Sequence, residues 1–127
     1  MQLTERRHTG EFILAEIETR LSRENVTVTV PPLARLEAGS VLGKLSAGGN
    51  YVEFDPAATD GSEEVAGLLY AECDNSLGMA PLDFKAVAIT RLAAVHKSAL
   101  VWGSEVDSNA KAAAYSDMAA KYLVAID

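Results

Sequence analysis

The sequence predicts a mainly β domain with one short α-helix near its C-terminus. Residues 26–30 alternate strictly between valine and threonine, which is typical of a half-buried strand because successive side chains point to opposite faces. Residues 51–54 alternate in a similar way. The run 110–122 is rich in alanine and follows a segment, 107–109, whose residue types commonly cap helix N-termini. That run therefore predicts the helix.

The first half of the chain predicts short strands that are joined by turns. The prolines at 31–32 end the first strand because neither can donate a ladder hydrogen bond. Residues 40–45 predict a second strand. The Gly-containing turn 47–50 connects it to the strand at 51–54, so the two strands form a hairpin-like unit.

The second half of the chain predicts further strands around the helix. Extended structure is expected over 65–73, and 85–95 is the longest strand candidate. A short strand is expected over 99–102. After the helix, the apolar residues 123–126 predict a final edge strand.

The N-terminal residues predict an arm outside the main domain. Residues 1–10 are polar and lack periodicity, whereas 11–21 fit both a helical stripe and a strand that is added to another protein's sheet. We therefore divide the chain into an arm, 1–24, and a single β-rich domain, 25–127. One core is expected because a chain of 127 residues is close to the usual size of one domain.

The composition disfavours several classes of function. A formal net charge of −7 argues against nucleic acids and anionic membranes as partners, because phosphate binding depends on clustered Lys and Arg. No apolar run approaches the roughly 18 residues that span a bilayer, and the N-terminus lacks a signal-peptide pattern. Cys73 is the only cysteine, so an intrachain disulfide or a Cys-based zinc site cannot form. We expect a soluble, non-exported protein.

An acidic loop is the first candidate for a metal or acid–base site. Its carboxylates, Asp55, Asp60, Glu63 and Glu64, fail the calcium-loop pattern, which needs oxygen ligands at alternating positions and Gly at the sixth. A loop rich in Pro, Ala and Gly also offers little burial to raise a carboxyl pKa for hydrolysis. A solvated loop is therefore favoured over a hydrolase in which Asp55, Asp60 and Glu63 hold magnesium.

The remaining reactive residue types do not form a catalytic pattern. Segment 39–45 is one residue short of a phosphate loop, and His8 and His96 lie far apart in the sequence. Cys73 precedes Asp74, whose negative charge disfavours a thiolate. The sequence thus predicts no catalytic, cofactor-binding or metal-binding residues, and a protein that is not an enzyme.

Several ordered sequence blocks, spread from residue 10 toward the C-terminus, carry a family resemblance. They are 10–16 (GEFILAE), 22–24 (SRE), 36–44 (LEAGSVLGK), 51–63 (YVxxDPAATDGSE), 66–70 (AGLLY), 86–91 (AVAITR) and 99–102 (ALVW). Together they closely resemble the head decoration family of lambda-type tailed bacteriophages.

The resemblance implies a small β-tulip or β-clip fold and a homotrimer. Such trimers are made in the host cytoplasm, bind the outer surface of the expanded capsid at its three-fold positions, and brace the shell against DNA pressure. The alternative is another phage virion subunit, such as a tail or fibre-tip module.

The resemblance also implies that the arm adds a strand to the sheet of the major capsid protein. This favours the extended interpretation of 11–21, although 16–21 lacks the Gly-containing stretch expected there, so the arm bends differently or is partly helical. The capsid-contact candidates carried over by position are Glu11, Phe12, Ile13, Leu14 and Glu16.

Overall fold

A closed barrel of five strands forms the centre of the computed structural model, which describes residues 6–127. Residues 1–5, the start of the expected arm, lie outside the described residues. In chain order, the elements are β1 (Ile13–Glu16), α1 (Thr19–Ser22), β2 (Arg23–Val30), β3 (Ala34–Leu36), β4 (Val41–Lys44), β5 (Tyr51–Glu53), β6 (Gly67–Leu69), β7 (Cys73–Asn75), β8 (Leu82–Ile89), β9 (Ala93–His96), α2 (Ser108–Ala120) and β10 (Leu123–Ile126).

The barrel follows the strand order β2-β5-β4-β6-β8 and fits the β-tulip-like fold that the resemblance implies. It closes through the antiparallel pair β2–β8, which runs in register from Arg23 opposite Ile89 to Val30 opposite Leu82. On β2, Val28 and Val30 are fully buried, so the predicted alternation is confirmed. The predicted hairpin is also confirmed, because β4 and β5 pair antiparallel.

Two smaller sheets extend the barrel. β3 pairs with β7, and a three-stranded sheet has the order β1-β9-β10. One apolar cluster fills the barrel around Val28, Leu42 and Leu69. A second cluster joins the barrel to the three-stranded sheet and α2, with Leu68 and Met118 among its buried members.

Among the described residues, the one long helix is confirmed, but it runs from Ser108 to Ala120 and so begins and ends two residues before the predicted run 110–122. The side chain of Asp107 accepts a hydrogen bond from the backbone N–H of Ala110 at 2.8 Å, which caps the first turn. Tyr122 then adopts a positive φ of 57° and turns the chain into β10, an edge strand parallel to β9, as predicted. Within residues 6–127, no helix is long and apolar enough to cross a membrane.

Three predictions from the second half of the chain need correction. The prediction of one continuous strand over 85–95 is wrong, because β8 ends at Ile89 and β9 begins at Ala93. Leu92 lies between the two strands at a φ of 55°. The strand at 99–102 is also wrong, because Lys97–Ala99 is a 3-10 turn and Val101 forms only an isolated bridge with Ser40. Of 65–73, only Gly67–Leu69 and the first residue of β7 are strand.

A buried asparagine fixes the end of the barrel opposite the arm. The side-chain nitrogen of Asn75 lies 3.0 Å from the carbonyl oxygens of Val30, Pro31 and Ala80. Gly78 packs so closely that a Cβ there would lie 1.9 Å from the Asn75 side-chain oxygen. These contacts hold the loops that follow β2 and β7 in one arrangement.

Candidate interaction surface at the N-terminal arm

The acidic loop uses its carboxylates to hold its own backbone. Asp60 accepts hydrogen bonds from the Ser62 hydroxyl at 2.6 Å and the Ser62 N–H at 3.1 Å, and both bonds lower the pKa of Asp60. Asp55 accepts from the Ala57 N–H at 3.0 Å, and Glu63 accepts from the Gly61 N–H at 2.8 Å. These bonds are the turn-stabilising kind. Across residues 6–127, no group of three or more His, Cys, Asp or Glu could hold a metal ion.

The other candidate residues for chemistry are also separated or shielded. Cys73 is buried, and burial, followed by the charge of Glu72, raises the pKa of its thiol. This supports the prediction of a passive thiol. His96 is the exposed last residue of β9.

The arm forms a strand on the chain's own sheet. β1 pairs antiparallel with β9, with Ala15 opposite Ala94 and Glu16 opposite Ala93. The N–H of Gly10 also donates to the Tyr70 carbonyl at 2.9 Å. Within 11–21, β1 is extended and α1 is a single helical turn. The addition of this strand to another protein's sheet stays a prediction, because β1 pairs here with β9 of its own chain.

Phe12 anchors the arm in the core. Its side chain is fully buried in the cluster that joins barrel, sheet and helix. Its carbonyl accepts a hydrogen bond from the His96 N–H at 2.9 Å. Gly39, at a φ of 91°, lies beside the ring, and a Cβ there would be 3.5 Å from it. Ile13 is half-buried against the same cluster.

Glu16 fastens the other end of β1 to the barrel. Its carboxylate lies 2.8 Å from the guanidinium of Arg23 and accepts a hydrogen bond from the Ser22 hydroxyl. The Arg23 hydrogen bond, against the opposing effect of burial, holds the pKa of Glu16 below its ordinary value. Arg23 in turn lies 4.3 Å from the centre of the Tyr70 ring. The Glu16 carboxylate therefore already has its binding partners within the chain.

Exposed apolar side chains cover the outer side of this sheet and the adjoining turn. A bulge separates Ile13 from Ala15 in the pairing, and it places Leu14 in solvent. We name the arm-end surface by its five large exposed residues, which are 44 to 74% exposed: Leu14, Ile17, Leu21, Val124 and Ile126. β1 lies at one edge of the sheet, so its outer edge has no strand partner within residues 6–127.

The five capsid-contact candidates from the sequence fall into a group with contacts inside the chain and an exposed group. Phe12, Ile13 and Glu16 make contacts inside the chain, whereas Glu11 and Leu14 are exposed. Sequence reasoning missed the contribution of β10 to the surface. The signal available was Val124 and Ile126, which occupy alternate positions of a strand at the sheet edge.

A family model described as Bacteriophage lambda head decoration protein D matches residues 2–123 of the 127-residue chain. The match extends from the arm to the first residue of β10. No curated protein sequence matches this chain.

Replacing Phe12 with Ala should lower the free energy of unfolding by about 3 to 5 kcal/mol, because the substitution leaves a cavity in a closed core. The matched substitution Leu14→Ala, at a residue that is 44% exposed, should cost less than about 1 kcal/mol. Urea unfolding of both variants measures the difference. Equal losses would contradict the anchoring of the arm by Phe12.

Glu16→Gln should lower the free energy of unfolding by about 1 to 2 kcal/mol at pH 7, because the ionised carboxylate is paired. A lowered folded-state pKa means that this stabilisation is present above the pKa of an unfolded Glu, about 4.3. It is lost as the pH falls through the lower folded-state value.

Urea unfolding of wild type and Glu16→Gln between pH 7 and pH 3 measures this dependence, with Glu11→Gln at an exposed arm position as the control. The difference in the free energy of unfolding between wild type and Glu16→Gln should become smaller toward acid pH. A difference that stays constant would show that the ion pair does not account for the loss of stability.

Proposed function

The chain belongs to the family of the bacteriophage lambda head decoration protein D, and from that premise we propose how it decorates the head. It binds the outer surface of the expanded capsid as a homotrimer at three-fold positions and stabilises the shell against DNA pressure. The family is a structural one, which supports a role without catalysis. It also favours the head over the tail or fibre tip.

The arm-end surface is the observation that carries the proposed contact. It combines exposed apolar side chains with a sheet edge that has no neighbouring strand within the described chain. Such an edge is a template for a strand of another protein. The proposed partner is a strand of the major capsid protein, which pairs with the outer edge of β1 while β1 stays on β9.

The five candidate residues then have two separate roles. Glu11 and Leu14 face the capsid, together with Ile17 of the following turn. Phe12, Ile13 and Glu16 hold the strand in place, since their contacts lie within the chain. A strand that is already ordered loses less conformational entropy on binding than a free arm, and this supports binding through the docked form.

Trimer formation multiplies the strength of each contact. Three arms on one homotrimer bind the shell together, so a weak contact at each arm gives strong overall attachment through effective concentration. A contact of this kind also braces the shell, because one trimer bridges neighbouring capsid subunits. The net charge of −7 keeps the outward-facing protein soluble.

Substitution tests this contact better than deletion does. A truncation before Ser22 would remove Phe12 from the core and Glu16 from Arg23, so loss of binding would follow from unfolding alone. Leu14 and Ile17 are 44% and 74% exposed. Exchanging them for Ser leaves the buried contacts in place.

The double variant Leu14→Ser/Ile17→Ser should need at least about tenfold more protein to saturate expanded, undecorated shells of the cognate phage, because every arm of the trimer is weakened at once. Co-sedimentation with shells measures the half-saturating concentration. Lys85→Ser, at an exposed position of β8, is the control and should bind like wild type.

Saturation of the double variant at the wild-type concentration would contradict the arm-end surface as the capsid contact. Shells that stay bare with wild-type protein would contradict head decoration itself. The protein would then belong to another part of the virion.

A further inference from the structure

A second exposed apolar surface lies on the loops that follow β2 and β7. Two of its members are the most exposed large apolar side chains among the described residues, and the other two are exposed as well. We name it the loop-end surface, formed by Leu33 (73% exposed), Leu77 (95%), Met79 (91%) and Leu82 (47%). Large exposed apolar patches on folded proteins commonly mark interaction sites.

The loop-end surface and the arm-end surface lie at opposite ends of the longest strand pair. β2 leaves α1 at Arg23 and reaches the loops at Val30, where it pairs with Leu82. With a rise of about 3.3 Å per residue, these ends are about 23 Å apart. A capsid contact at the arm end therefore leaves the loop end to a different partner.

The loops present these residues in a fixed arrangement. Asn75 lies within hydrogen-bond distance of carbonyl groups on both loops, and Gly78 packs tightly against its side chain. Leu33 adopts a φ of 61°, which is unfavourable for leucine and persists only where the surrounding structure holds it. An ordered apolar surface binds a partner at a small entropic cost.

The loop-end surface contains no charged residue, and this property favours a second copy of the chain as its partner. Residues 31–34 and 75–82 contain no Lys, Arg, Asp or Glu, although the chain carries 18 acidic residues and a net charge of −7. Two copies repel each other through that net charge. The electrostatic repulsion between two copies is therefore smallest where the contacting loop carries no negative side chain.

A groove next to the loops can receive them. Its volume is about 460 Å³, and its lining includes Pro31 and Pro81, which lie close in sequence to Leu33 and Leu82 of the loop-end surface. Apolar side chains line part of it, and carboxylates stand around it: the apolar residues are Leu45, Val52, Phe54 and Val106, and the acidic ones are Glu53, Asp55, Asp60 and Glu105. An uncharged apolar loop can approach this groove, whereas an acidic segment is repelled.

We propose that the loop-end surface is the contact between copies of this chain, with Leu77 and Met79 of one copy seated in the groove of the next. Each copy gives one loop and receives another, which is the arrangement that closes a cyclic trimer. This contact rests on the homotrimer of the proposed function and assigns the residues that hold it together.

Leu77→Ser/Met79→Ser tests the contact, because both side chains are more than 90% exposed and their loss leaves the core intact. Sedimentation equilibrium of the full-length chain should give the mass of a trimer for wild type and of a monomer for the variant at the same micromolar concentration. Leu14→Ser/Ile17→Ser is the control and should remain trimeric. Near-ultraviolet circular dichroism verifies that each variant is folded.

A folded loop variant that remains trimeric would overturn the assignment and leave the homotrimer standing. A monomeric wild type would overturn the homotrimer and, with it, this contact. The two failures are therefore distinguishable in one experiment.

A charge pair tests the groove as the receiving surface. Leu77→Asp should raise the dissociation constant of the trimer more than Leu77→Lys, because the groove carries four carboxylates and like charges repel. Equal effects, or a larger effect of Leu77→Lys, would show that Leu77 binds elsewhere.

Discussion

The burial of Phe12 attaches the N-terminal strand to the body of the protein. Its ring closes the cluster between the barrel and the three-stranded sheet, and this fixes β1 as an edge strand on β9. The arm therefore contributes both to the core and to the exposed surface of the protein. The same short segment supplies core packing through Phe12 and an exposed apolar side chain through Leu14, because the bulge changes which side faces outward.

Two apolar surfaces at opposite ends of the β2–β8 pair follow from this arrangement. Exposed charged residues adjoin the arm-end surface in sequence, because Asp127 follows Ile126 and Glu11 lies shortly before β1, and a polar border around an apolar centre is usual for an interface between separate proteins. The loop-end surface lacks charge. The proposed shell contact and the proposed contact between copies therefore lie at opposite ends of the same strand pair.

Local patterns predicted much of the fold. The valines of β2, the hairpin β4–β5 and the Asp107 cap of α2 each depend on neighbours in the sequence, and each was confirmed. The corner at Leu92 was missed because its apolar residue continues the pattern of a strand, and only the change from barrel to outer sheet requires its positive φ. The pairing of β1 with β9 spans about 80 residues of sequence, so local periodicity could not reveal it.

The capsid contact at Glu11, Phe12, Ile13, Leu14 and Glu16 stays a prediction. The sequence could not assign separate roles to these residues, because buried and exposed members of the segment have the same apolar character, and only packing separates Phe12 from Leu14. Cryo-electron microscopy of expanded shells with bound protein shows directly whether β1 stays on β9 when the arm meets the capsid. Density at the three-fold positions should show β1 still paired with β9, with a capsid strand along its outer edge. Density in which β1 has left β9 would show instead that the arm detaches from its own sheet to bind the shell.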